Sequence, residues 1–77
     1  MHKSNVSKIF GEEMRKIRKE VGISQEALAL KANVDRSFMS KMERGIRQPT
    51  ITIMFKLCDA LDYPAERLVA SVKSRID

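Results

Sequence analysis

The chain has one Cys, one His, no Trp, two Pro and three Gly among its 77 residues. A lone thiol cannot close an intrachain disulfide, and one Cys with one His falls short of a structural zinc site. At this length there is room for one core and not for two. A core so small contributes only a few kcal/mol net, so association with a second copy is the stabiliser left. Long apolar runs are also missing. The longest is Ala27-Leu28-Ala29-Leu30, against the roughly 18 residues a membrane span requires. Met1-His2-Lys3-Ser4-Asn5 leads into no signal-peptide stretch, so a soluble protein of the cytoplasm with no membrane partner is expected. Catalytic furniture is absent too: no nucleophile–base pair, no carboxylate cluster on one face, no glycine-rich phosphate loop and no metal-ligand spacing. Neither an enzyme nor a bound cofactor or metal is expected.

What the chain does have is aliphatic surface and charge. It is 43% hydrophobic and 32% charged, enough apolar material to close a core and escape disorder. The charge is uneven. Residues 1–48 hold 11 Lys+Arg against 6 Asp+Glu, whereas residues 49–77 hold four of each. The basic excess of the first part is either a solvated lysine and arginine surface or a polyanion-binding face joined to a neutral half with another task.

The apolar periods are helical. Val6, Ile9, Phe10, Met14, Ile17 and Val21 recur at three- and four-residue steps, and Gly22 stops the run. Ser24 stands at an N-cap position before a short helix with Ala27, Leu28 and Ala32 on one face. Asn33 tolerates a left-handed turn. Asp35 caps the next helix, with Met39 and Met42 inward and Gly45 as its end. Pro49-Thr50 opens a fourth helix carrying Ile51, Met54, Leu57, Cys58 and Leu61. Pro64 suits the first turn of a fifth, with Leu68, Val69, Val72 and Ile76. No segment alternates at period two between turn residues. The fold expected is all-α: five short helices in a single domain over residues 1–77, with residues 1–5 as a flexible arm.

The informative stretch is residues 24–45. A helix of about eight residues, a tight turn at Asn33 and a second short helix make the helix-turn-helix pattern. Ala29 falls where only a small side chain lets the two helices approach, and Val34 packs in the turn. With Met39 and Met42 inward, Arg36, Ser37, Ser40, Lys41 and Arg44 form the outward face of the second helix. No acid occurs between Asp35 and Glu43. Such a face suits the DNA major groove, where Arg reads a guanine edge through two hydrogen bonds and Ser meets phosphates or bases.

The set Phe10-Gly11, Arg15, Ile17-Arg18, Gly22, Ser24-Gln25-Glu26, Leu28-Ala29, Ser40, Glu43-Arg44-Gly45, Arg47, Pro49-Thr50 and Ala60-Leu61 resembles the Cro/repressor-type helix-turn-helix family over residues 6–70. The run from Asp35 to Ser40 with Glu43-Arg44-Gly45 resembles restriction–modification controller proteins in particular. The chain departs from the family pattern at Asp62, Phe55 and Ile53, away from the DNA-facing residues. The resemblance implies that Gln25 holds a phosphate together with its helix N-terminal amides. It also implies that Arg36, Ser37 and Lys41 face bases while Ser40, Arg44 and Arg47 lie near phosphates. Gln48 and Thr50 would sit on the loop flanking the duplex. Arg18 and Glu43 would form a partly buried ion pair, structural rather than DNA-binding, since a Glu at a helix C-terminus opposes the macrodipole and wants a cation. Phe38 either lays its ring on the duplex or covers the core edge. Cys58 falls on the apolar stripe as a buried thiol, and His2 has no partner.

The neutral segment, residues 50–77, carries more apolar surface than one small subunit can bury, with Phe55 off the helical stripe. A dimer face of Phe55, Tyr63, Leu68, Val69 and Val72 is expected, the alternative being that these residues complete the monomer core. Together these expectations describe a homodimeric, nucleoid-associated transcriptional regulator on a palindromic site in double-stranded DNA, with RNA polymerase as a further partner. A restriction–modification controller, a phage-type repressor and an antitoxin are its versions. The rival is a protein-interaction module of the same fold that bridges a polymerase or coactivator and reads no DNA.

Overall fold

A computed structural model describes residues 6–76, which form five helices: α1 (Val6–Val21), α2 (Gln25–Ala32), α3 (Arg36–Glu43), α4 (Ile51–Leu61) and α5 (Ala65–Arg75). No strand occurs among the described residues. The arm expected at residues 1–5, with His2, lies outside them.

Three helix starts are capped by the side chains the sequence offers. Ser24 Oγ accepts from the Ala27 N–H at 3.0 Å, Asp35 Oδ2 from Phe38 at 2.9 Å and Thr50 Oγ1 from Ile53 at 3.1 Å. Each satisfies a donor that the first helical turn leaves without a partner. The ends reverse through left-handed residues: Asn33 at φ 57° and Asp62 at φ 54°. In both turns the next residue's N–H reaches back to the helix, Val34 to Ala29 O at 2.8 Å and Tyr63 to Cys58 O at 2.9 Å. Asp62 thus serves where the family pattern often has Gly, because a short polar side chain tolerates this conformation. Pro64 is the N-cap of α5 rather than a first-turn residue. Its fixed φ of −64° directs the chain into the helix.

The core centres on Met14, Leu28, Met39, Met42, Leu57, Cys58 and Leu68, all fully buried. α2 lies against α4 and α3, and α1 against α3 and α5. The α1–α3 approach depends on Gly11. A Cβ there would stand 2.5 Å from the Met42 carbonyl oxygen and 2.6 Å from that of Glu43, so only glycine lets the two backbones come so close.

Several inward assignments shift. Val21 and Ile51 are exposed and Ala27 faces out, whereas Ala29 is buried as its place at the helix crossing requires. Ile53 and Phe38 are half-buried against the core, where they line one apolar depression with Val34, Asp35, Gln48 and Thr50. α4 packs chiefly against α2, with Ile53 half-buried and Ile51 outside. Phe38 covers the core edge. Leu68 and Val72 are also buried within the subunit. They lie four residues apart on the side of α5 that meets α1 and α4, a helical spacing that gives one shared face. Of the five residues expected at a dimer face, these two are spent on the subunit's own core.

Candidate nucleic-acid interface

α3 displays the expected outward face. Arg36, Ser37 and Arg44 are exposed and Ser40 and Lys41 half-buried. Arg36, Ser37, Ser40 and Arg44 line one shallow depression on the surface. Asp35 and Glu43 flank this face in sequence; the Asp35 carboxylate is engaged by the Phe38 N–H as a helix cap, and Glu43 is buried. The Arg44 Nε–H points back along the helix to the Ser40 carbonyl at 3.4 Å. The loop after Gly45 carries Arg47 and Gln48, both exposed. Gly45 has φ 81°, and a Cβ there would come within 2.8 Å of Lys8 Cα. Glycine thus lets the α3 exit run close past α1.

Behind α3 lies a buried polar knot. Arg18 Nε donates to Glu43 Oε2 at 2.7 Å, and Arg18 Nη2 donates to Glu43 Oε1 at 3.0 Å. The fork is two-pronged, the geometry in which arginine binds a carboxylate most strongly. The third guanidinium nitrogen, Nη1, donates to the Ile23 carbonyl at 2.9 Å, which closes the α1–α2 turn. Gln25 Nε2 donates to Glu43 Oε1 at 2.9 Å. One carboxylate on α3 therefore holds α1, through Arg18, and the first residue of α2, through Gln25. Among the described residues no buried side-chain nitrogen or oxygen lacks a partner. The link to Gln25 is the feature that reading the sequence missed. An 18-residue separation gives no local signal, and the resemblance implies only a phosphate role for Gln25.

A second tie was also missed. Arg75, in the last turn of α5, donates through Nη2 to Glu12 Oε1 at 2.7 Å and through Nη1 to Glu13 Oε2 at 2.9 Å. It fastens the end of the chain to α1, on residues outside the α3 face. The Arg75 hydrogen bond holds the Glu12 carboxyl below its usual value, and nearby Lys8 adds to the effect. Burial pushes the Cys58 thiol up, with Asp59 and Glu66 reinforcing it, which makes it a poor nucleophile.

The proposed association residues divide. Phe55 and Val69 are exposed, each at 48%. Tyr63 is half-buried with the Arg67 guanidinium 5.2 Å from its ring centroid, within cation–π range. Among the described residues no group of three or more His, Cys, Asp or Glu could hold a metal ion, and no helix is long and apolar enough to cross a membrane.

A short basic helix presented by a tight turn, with a small-residue crossing behind it and an ion pair locking the frame, defines a helix-turn-helix domain of the transcription-regulator class. The helix-turn-helix family profile matches residues 14–68, and the chain belongs to the Cro/repressor-type helix-turn-helix family. Among relatives, control protein C.BamHI of Bacillus amyloliquefaciens is 34% identical over 67 residues, 86% of this chain and 83% of that one. The restriction–modification controller protein C.AhdI of Aeromonas hydrophila superposes with a TM-score of 0.77 at 38% identity, covering 83% of this chain and 96% of that chain. The biofilm master regulator SinR, solved in complex with DNA, superposes with a TM-score of 0.74 at 34% identity, covering 78% and 97%.

Proposed function

We propose that the protein is a homodimeric regulator that binds a palindromic operator in double-stranded DNA through α3, and that it serves as a restriction–modification controller. The observation that carries the reading is the α3 face: Arg36, Ser37, Ser40 and Arg44 line one depression, and the acids flanking it in sequence are engaged, Asp35 as a cap and Glu43 in the buried ion pair. Arg36 and Ser37 lie in the first turn, where a groove-inserted helix meets base edges, while Arg47 and Gln48 flank it at backbone height. The likeness to SinR, whose structure is with DNA, supports DNA binding. The likeness to C.BamHI and C.AhdI supports the controller version. Pairing two copies through Phe55, Tyr63 and Val69 would join the neutral halves and keep the basic faces apart. RNA polymerase is the further partner of an activating controller.

Selection of bound duplexes from a random library tests the DNA reading, and a two-fold symmetric site is the expected result. If each subunit neutralises about four phosphates, log affinity should fall against log salt with a slope near −7 for the dimer. A slope shallower than about −3 would favour the protein-bridging rival. Sedimentation of Phe55→Arg beside the parent tests the dimer face, and unchanged association removes Phe55 from it. A methyltransferase or endonuclease gene beside this one is the expected setting of a controller.

A further inference from the structure

The first turns of α4 leave two large apolar side chains in water: Ile51 is 63% exposed and Phe55 48%. They stand one helical turn apart and so share one side of the helix. Ile51 also walls an open apolar depression of about 240 Å3, lined with Val6, Phe10, Pro49 and Met54. The hydroxyl of Thr50, which borders it as well, is taken up as the α4 cap. A cavity of about 150 Å3 already takes a benzene ring, so a phenyl group fits the depression. One helix face thus carries an apolar knob and, a turn earlier, an apolar hole. Phe55 is a position at which the chain departs from its family's pattern, so the likeness to other members does not say what covers it.

We propose that the occupant of the depression is Phe55 of a second copy, which packs on Ile51 across a two-fold axis midway between positions 51 and 55 of α4. This rests on the dimer reading above and extends that face to Ile51. Symmetry selects the pairing. In a two-fold contact, if one residue meets another across the axis, the reverse contact is made as well. With the axis between the two positions, α4 lies antiparallel to its copy. Each Phe55 ring then reaches over Ile51 of the other copy, and both depressions are filled. An axis through Phe55 itself would stack the two rings and leave both depressions and both Ile51 side chains in water, which buries less apolar surface. Charge permits the contact, since residues 49–77 hold as many acids as bases.

Mixing two charge variants tests the pairing. Ile51→Glu and Phe55→Lys are surface changes, so each variant should melt close to the parent. Each alone should raise the dissociation constant of the dimer by about thirtyfold or more, as loss of a central apolar anchor does. Mixed, they should form a heterodimer at least about tenfold tighter than either variant by itself. One of its two contacts sets the new carboxylate against the new amine, and the other is the parental pair of Ile51 and Phe55. Sedimentation of the parent, both variants and the mixture reads all four. A mixture no tighter than its better member overturns the pairing, as does an Ile51→Glu that associates like the parent. A monomeric parent overturns the dimer reading and the pairing with it. In a parent dimer with one copy isotope-labelled, nuclear Overhauser contacts should join the Phe55 ring of one copy to the Val6 and Met54 methyls of the other. Their absence, with the depression filled instead by residues 1–5 of the same chain or by a small apolar molecule, overturns the proposal even if a variant does not fold.

Discussion

Helix α1 is fastened twice by arginine and carboxylate, once towards α3 and once towards α5, and the two ties differ in their exposure to water. In the Arg18–Glu43 pair the side chains are 10% and 2% exposed. In the Arg75–Glu12 pair they are 41% and 45% exposed. The distances are the same, 2.7 Å in each. Distance therefore says nothing about which tie the fold requires. A buried charge that loses its partner has no water to turn to, whereas an exposed one is rehydrated almost at no cost. The two halves of the chain differ in what they draw inside. Between α1 and α3 charged side chains are buried and tied together, which fixes how α3 is presented. The buried residues of α4 and α5 are Leu57, Cys58, Leu61, Leu68 and Val72, with no charge among them. Apolar residues are left outside in both halves: Val21, Leu30 and Ile46 in the first, Ile51, Phe55 and Val69 in the second.

The largest effect should come from breaking the buried tie. Arg18→Ala strands the Glu43 carboxylate and should cost about 3–5 kcal/mol, a large part of what a domain this size has. Thermal denaturation without DNA measures it, and an unchanged midpoint would make the pair dispensable. Next comes the division of α5 into core and surface. Leu68→Ala should cost about 2–5 kcal/mol through the cavity it leaves, whereas Val69→Ala should stay within about 0.5 kcal/mol. Urea unfolding of both variants checks the difference, and equal stabilities would return Leu68 to the dimer face, the first of the two places the sequence allows it.

That ambiguity shows where sequence reasoning stops. Helices α1 to α3 were legible because each carries its own punctuation: Ser24 and Asp35 as caps, Asn33 in the left-handed turn, and the Met39–Met42 pair facing in. The outward side of α3 followed from its inward side. The Arg18–Glu43 pair came only through family resemblance, since 25 residues separate the partners and no local spacing joins them. In α4 and α5 apolar residues occur on more than one side, so periodicity does not say which side meets α1. Leu68 and Val72 were therefore grouped with Phe55, although the packing of α5 across α1 and α4 turns them in. Ile51, read on the apolar stripe of α4, is exposed for a similar reason, since the side of α4 that packs is set by α2, a long-range fact.

A second pair of arginines sharpens the contrast between inward and outward cations. Arg36 and Arg47 are both exposed, so neither should matter to stability, and both should matter to DNA. Arg36→Ala should cost roughly 1–3 kcal/mol in operator binding and relax preference at one base pair per half-site. Arg47→Ala should weaken operator and random DNA about equally and make the salt slope shallower by roughly one per subunit. Affinities for a set of operator variants at two salt concentrations separate the two. If base preference follows Arg47 and ignores Arg36, the loop reads the sequence and the helix only anchors.

The smallest effect should be the exposed tie. Arg75→Ala should lower the thermal midpoint near neutral pH by less than Arg18→Ala does, because water replaces the bond to exposed Glu12 although Glu13, whose side chain is 11% exposed, is rehydrated only in part. Its pH dependence identifies it. The Arg75 guanidinium holds the Glu12 carboxyl below its usual value, and Arg75 itself is pushed up by the same contacts, so the cation stays charged throughout. A depressed carboxyl adds stability above its unfolded pKa and loses it as the pH falls through the folded one. The gap between parent and Arg75→Ala should therefore close as the pH drops below the glutamate range. Raising the salt at neutral pH should narrow it too, since the charges face solvent. A gap that persists in acid and in high salt would mean that the aliphatic stem of Arg75, packed along α1, is what the variant removes. The second tie would then be apolar contact, and the likeness between the two arginines would end at their distances.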